Sequence, residues 1–89
     1  MKVEKIEIKR RSFNQNWVIK VDDNIIKVTN KVSIARLFVN DEVQDSSPEP
    51  FSVQLSGKLP DGREIKVRVG GFWALHCCIF LDNKMVLDD

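Results

Sequence analysis

Hydrophobic and polar residues alternate with a period of two along most of this chain. Ile6 and Ile8 share one face with Glu7 and Lys9 on the other, and Trp17, Ile19 and Val21 alternate with Val18 and Lys20. Phe51, Val53 and Leu55 alternate with Ser52, Gln54 and Ser56, and Ile65, Val67 and Val69 with Lys66 and Arg68. Side chains of successive strand residues point to opposite faces, so this pattern predicts half-buried strands. From Val32 to Val39 both faces are apolar, with Val32, Ile34 and Phe38 against Ala35, Leu37 and Val39, as expected of a central strand. Trp73, Leu75, Cys77, Ile79 and Leu81 line one face of a further strand, and Ala74, His76, Cys78 and Phe80 the other. Helical spacing is absent; the only stretch that could be read so, Val32 to Phe38, is short and rich in β-branched residues.

Turn formers punctuate these runs. Asp22-Asp23-Asn24, Asn40-Asp41 and Asp82-Asn83 suit tight hairpins, because Asn and Asp tolerate positive φ and bond to nearby backbone. In Leu59-Pro60-Asp61-Gly62, proline sets one φ and glycine accepts a positive one. Gly70-Gly71 predicts a bulge or bend. Asp45-Ser46-Ser47-Pro48-Glu49-Pro50 carries two prolines, which a sheet interior rejects, and is expected to be a loop. The fold class that follows is all-β, a small antiparallel β-sandwich or partly open barrel of about seven to eight strands.

The two halves echo each other. Ile26-Lys27-Val28 is followed by Phe38-Val39-Asn40-Asp41, and Ile65-Lys66-Val67 by Phe80-Leu81-Asp82-Asn83. The echo suggests an internal duplication of a strand–hairpin unit within a single domain of residues 1–89, the halves being 1–44 and 51–89 about a loop at 45–50. A chain of 89 residues holds one domain with a modest core.

A formal charge of +1 lacks the basic excess that nucleic acid or an anionic membrane rewards. No apolar run reaches the roughly 18–20 residues that a spanning helix needs. The start of the chain alternates charge and aliphatic, predicting a strand in place of a signal peptide. With two adjacent cysteines and no spaced framework, a reducing cytoplasm is the expectation.

Catalytic chemistry finds little to work with. In His76-Cys77-Cys78 only His76 and Cys78 would share a strand face, and a structural zinc site wants about four ligands; the chain has no other His or Cys. Adjacent strand residues cannot act as nucleophile and base on one face, so His76 and Cys77 make no pair. Asp22, Asp23, Asp61 and Asp82 fall at predicted turns and read as turn formers. No catalytic residue, metal or cofactor is expected.

Binding surfaces are the stronger prospect. Residues 1–36 hold nine basic and four acidic side chains, whereas residues 37–50 hold four acidic and no basic ones. A basic end (Lys2, Lys5, Lys9, Arg10, Arg11) thus opposes an acidic segment (Asp41, Glu42, Asp45, Glu49). Arg10, Arg11 and Phe13 are candidate contact residues, as are the aromatics Phe72 and Trp73, since interfaces favour aromatic anchors. Trp17 lies in an alternating apolar set and is expected in the core.

Four stretches resemble a β-sandwich domain of the Fas apoptosis inhibitory molecule family. They are Asn16-Trp17-Val18-Ile19 with Asp22-Asp23-Asn24 and Ile26-Lys27-Val28, then Leu37 to Val43, then Phe51-Ser52-Val53, and finally Ile79 to Val86. Asp41 stands where the family tends to have Gly, no Pro follows Val86, and the hairpin around Leu59-Pro60-Asp61-Gly62 is this chain's own. The resemblance implies a compact, non-enzymatic β module acting through protein contacts, and the length allows one such domain where the animal proteins have two. The expectation from sequence is therefore a monomeric cytoplasmic module with an unidentified protein partner. Its rival is a single-stranded nucleic-acid binder that uses Arg10, Arg11 and Phe13.

Overall fold

The computed structural model of the chain describes residues 1–11, 14–32, 34–48, 52–71 and 76–89, with main chain alone at Arg10 and Arg11. Its elements are strands throughout: β1 (Val3–Arg11), β2 (Asn14–Val21), β3 (Asn24–Lys31), β4 (Ile34–Val39), β5 (Glu42–Pro48), β6 (Ser52–Lys58), β7 (Glu64–Gly70), β8 (His76–Leu81) and β9 (Lys84–Asp88). Each pairs antiparallel with its neighbour in sequence, save that β5 and β6 belong to different sheets. The result is a sandwich of two meanders, a five-stranded sheet β1-β2-β3-β4-β5 and a four-stranded sheet β6-β7-β8-β9.

The two inner faces make the core. Trp17, Ile19, Val21, Ile26, Val28, Ala35, Leu37 and Val39 come from the first sheet. Leu55, Ile65, Val67, Val69, Cys77, Ile79, Leu81 and Leu87 come from the second. These are the alternate positions of the sequence pattern, and Trp17 is wholly buried as expected. Its indole Nε1 donates to Asp89 Oδ2 at 2.9 Å, while Asp89 exchanges main-chain hydrogen bonds with Cys77, so the largest core side chain of one sheet is tied to the other. A buried indole N–H without such a partner would be costly. A polar pair closes one end of the inner face of the first sheet, where Asn30 Nδ2 donates to Gln15 Oε1 at 3.1 Å. At Gly57 the layers approach closely: a Cβ there would stand 3.0 Å from Gln44 Cβ and from Leu37 Cδ2.

Four expectations need correction. The polar stretch Asp45–Pro48 is not loop but part of β5, paired with β4 from Leu37↔Asp45 to Ile34↔Pro48. An edge strand faces solvent on one side of its ladder, so proline and serine are tolerated there. Ile6 and Ile8 do not share a face, because a bulge between Lys5 and Glu7 leaves Ile6 53% exposed while Ile8 packs on the core. Val32 does not open β4 but sits in the turn before it, at φ +51°. Gly70 is no bulge: it pairs in register with Ser52 and His76.

The hairpins share one device. Asn40 N–H donates to the Ile25 carbonyl while its Oδ1 accepts the Ile25 N–H, at 2.9 and 2.8 Å. Asp82 does the same to Glu64, at 2.9 and 2.8 Å, and Asp22 to Lys2, at 2.8 and 3.0 Å. In each case the first turn residue, at φ between +48° and +54°, extends the ladder with its side chain in place of a carbonyl. The turns Asn40-Asp41 and Asp82-Asn83 both place two consecutive residues at positive φ. Behind them, Ile26↔Val39 and Val28↔Leu37 correspond to Ile65↔Leu81 and Val67↔Ile79. Even the bulges coincide, at Gln44 in β5 and Val86 in β9. The sequence echo is thus an equivalence of register, turn and bulge.

One charged cluster joins the ends of the two sheets. Arg63 donates to Asp61 and reaches Asp22 Oδ2 at 3.2 Å, clipping the β6–β7 turn to the β2–β3 turn. The Lys2 N–H and then Arg63 hold the Asp22 carboxyl below the ordinary carboxylate range, and Arg63 does so for Asp61. Such groups add stability that is present above the unfolded value near 3.8 and lost as pH falls through the lowered folded values.

Two measurements check this account. Positive φ strains a β-branched residue, so Val32→Asn is expected to stabilise the fold by about 1 kcal/mol, read as a higher denaturant midpoint; a lower midpoint would count against the strained turn. Thermal midpoints recorded between about pH 2 and pH 6 are expected to fall below about pH 4, with a shallower fall in Arg63→Gln. Parallel curves for the two proteins would remove the clip from the account.

Candidate functional site

The sandwich buries one face of each sheet and turns the other outward. On the outer face of the first sheet the same alternation that buries Trp17 and Ile19 turns Val18 and Lys20 outward. β3 presents Ile25 and Lys27 there, β4 presents Ile34, Arg36 and Phe38, and β5 presents Val43. Register aligns Glu7, Val18, Lys27, Phe38 and Val43 in one row across the five strands. Val18, Ile25, Ile34 and Phe38 are half-buried, and Val43 is 56% exposed. Val18, Ile25, Phe38 and Val43 form an apolar strip on the face turned away from the second sheet, with Ile34 two rows from Phe38, beyond Arg36.

Lys27 interrupts the strip and shapes it. Its Nζ lies 4.5 Å from the centroid of the Phe38 ring, a cation–π contact that fixes both side chains. Lys20 and Arg36 lie in the adjacent rows, and neither forms an ion pair among the described residues. The surface therefore combines an aromatic and aliphatic centre with cations that form no ion pair among the described residues.

The edges beside this face are guarded. β1 carries its bulge and the exposed pairs Lys2–Glu4 and Lys9–Glu7. At the β5–β6 corner, Asp45 Oδ2 accepts the Ser56 N–H at 2.9 Å, and Gln44 Oε1 accepts the Lys58 N–H at 3.4 Å. Main-chain donors of β6 that could recruit a foreign strand are thereby occupied by side chains.

Of the residues singled out from sequence, Phe13, Phe72 and Trp73 lie outside the described residues. Arg10 and Arg11 belong to β1 by their main chain, opposite Gln15 and Asn14, and their side chains lie outside the description. The acidic segment resolves in part into structural roles, since Asp45 caps the Ser46 and Ser56 N–H groups. Sequence reasoning assigned Phe38 and Val18 to strand faces without recognising the strip. Its signal was there in the apolar outward positions of β2, β3 and β4, but the cross-strand register that brings them together is not written in any one segment.

The cysteines separate as the alternation requires, Cys77 inward and Cys78 outward. Burial pushes the Cys77 thiol far above the ordinary thiol range. Cys78 is raised first by burial and then by donating to Asp88 Oδ1 at 3.4 Å, an acceptor that favours the protonated form. Neither environment generates a thiolate at neutral pH. Among the described residues no group of three or more His, Cys, Asp and Glu is placed to hold a metal. No helix among them is long and apolar enough to cross a membrane.

Comparison with known proteins returns no matching family model, no matching curated protein and no matching solved structure.

Thiol labelling checks the electrostatics. At about pH 7.5 an aromatic disulfide reagent is expected to modify Cys78 slowly and Cys77 only after denaturation, because only thiolate attacks. Rapid native labelling at both positions would contradict the arrangement.

Proposed function

We propose that the protein is a non-enzymatic β module that holds a partner protein against the outer face of its five-stranded sheet. The observation that carries this reading is the apolar strip of Val18, Ile25, Phe38 and Val43, crossed by Lys27 and bordered by Lys20 and Arg36. Interfaces concentrate their energy in a few aromatic anchors surrounded by polar residues. The fitting partner presents an apolar side chain flanked by carboxylates, which meet the free cations. The guarded edges oppose edge-to-edge pairing of copies, and the module is proposed to act as a monomer. The resemblance to the Fas apoptosis inhibitory molecule family belongs to the same proposal and points to the same mode of action. So do a cytoplasmic setting and an origin by duplication, the latter supported by the shared register, turn and bulge.

A second reading rests on the same residues. An aromatic beside three cations on an open sheet face is also the composition of a single-stranded nucleic-acid platform. Against it, the Lys27 ammonium already lies over the Phe38 ring, 4.5 Å from its centroid, and a stacking base would compete with it for the ring.

Affinity capture from native lysate of the source organism, with and without nuclease, tests both. A stoichiometric protein that survives nuclease is expected, with Phe38→Ala and Lys27→Glu each reducing its capture about tenfold or more and leaving the thermal midpoint little changed. Capture unaffected by either variant would remove this face from the proposal. Partners lost with nuclease would transfer the face to nucleic acid.

A further inference from the structure

The outer face of the second sheet carries a hollow that the partner surface does not involve. β6 presents Ser52 and Gln54 outward, β7 Arg68 and Gly70, β8 His76 and Cys78, and β9 Asp88. Register sets them in two adjacent rows, Ser52–Gly70–His76 and Gln54–Arg68–Cys78–Asp88. Gly70 stands between Ser52 and His76, so the middle of its row has no side chain. The outcome is a cavity of about 360 Å³ lined by Ser52, Gln54, Arg68, Gly70, His76 and Cys78. The strands themselves, at Val53 and Val69, supply its remaining wall.

Glycine is not required at this position by the backbone. Gly71 has φ +151° and Gly62 φ +95°, but Gly70 is an extended, paired strand residue outside the positive-φ set. A β-branched residue would suit such a site better, and glycine inside a strand is destabilising by roughly 0.5–1 kcal/mol relative to Ala. What glycine leaves is a row position without a side chain between Ser52 and His76.

The rim is rich in donors without a partner among the described residues. The guanidinium of Arg68, the ring of His76, the amide of Gln54 and the hydroxyl of Ser52 take part in no hydrogen bond or ion pair among the described residues. The neighbouring carboxylate, Asp88, is one strand beyond Cys78 and accepts the Cys78 thiol at 3.4 Å. It lies two strands from Arg68, beyond Cys78 in the same row, and forms no ion pair with it among the described residues.

From this geometry we propose that the hollow floored by Gly70 is a binding site for a phosphate monoester. Arg68 offers a planar fork to two oxygens, and Ser52, Gln54 and His76 approach from the sides toward the third. A carboxylate has only two oxygens for the same donors. The volume sits at the low end of small-ligand sites, enough for a phosphoryl group with a short substituent. Because the Cys78 thiol stays protonated, the site binds the ester and does not attack it.

Amide-resolved NMR titration of the full chain tests this, with inorganic phosphate, glycerol phosphate, a phosphoserine peptide and its unphosphorylated form, and sodium chloride at matched ionic strength. Saturable shifts at Arg68, Gly70, His76 and Cys78 are expected with the phosphorylated probes alone. Arg68→Gln is expected to weaken binding about tenfold or more, and Arg68→Lys by less, since it keeps charge and loses the fork. Gly70→Thr is expected to abolish binding while keeping or raising the thermal midpoint, a combination that a merely structural glycine would not give. Tighter binding of the phosphopeptide than of glycerol phosphate assigns the phosphoryl group to a modified chain; the reverse assigns it to a small ester. Absence of saturation by about 10 mM, ten times a Kd of about 1 mM, or equal shifts with chloride, or an unchanged Arg68→Gln, would overturn the proposal.

Discussion

Everything on the surface of this protein is positioned by the contact between two apolar sheet faces. Trp17, Leu37 and their neighbours on one meander meet Leu55, Val67 and Ile79 on the other. Gly57 lets β6 approach Leu37, and the bond from Trp17 to Asp89 ties the largest side chain across the layers. Period two then leaves no freedom: once one face of a strand is committed to the core, every other residue must face water or a partner. The strip of Val18, Phe38 and Val43 and the hollow at Gly70 are both consequences of that single commitment, on opposite sides of the sandwich.

The turns secure the registers on which those surfaces depend. Asn40, Asp82 and Asp22 each add a side-chain acceptor to the end of a ladder, which pins a strand against slipping by one residue. A slip of one position would exchange the core face for the solvent face and dissolve both surfaces at once. The bulges at Ile6, Gln44 and Val86 act in the same direction. They shift the phase locally, so that an edge strand matches its neighbour without presenting a flat, pairable rim.

The two surfaces proposed for binding lie on one small module, and both would serve recognition. The first sheet offers an apolar centre with cations, suited to a chain that carries aliphatic or aromatic anchors. The second offers hydrogen-bond donors around an empty floor, suited to a compact oxyanion. Cys77 contributes packing in the core and Cys78, at the hollow, a weak hydrogen bond, and their environment keeps both thiols protonated.

The strand faces were legible in the sequence because burial of one sheet face imposes a strict alternation that needs no knowledge of neighbours. Trp17, Ile19, Val67 and Ile79 announce themselves in this way, as do the turns at Asn40-Asp41 and Asp82-Asn83, where positive φ restricts the residue types. Three features were decided only by the tertiary structure. Asp45–Pro48 became a strand because it found an edge that tolerates proline, and Ile6 left the core because pairing with β2 required a bulge beneath it. The two candidate sites arose because register set Lys27 over Phe38, and Arg68, Ser52 and His76 around Gly70. A local pattern determines which way a side chain points; which distant side chains it meets depends on pairing between strands, and that is a property of the whole fold.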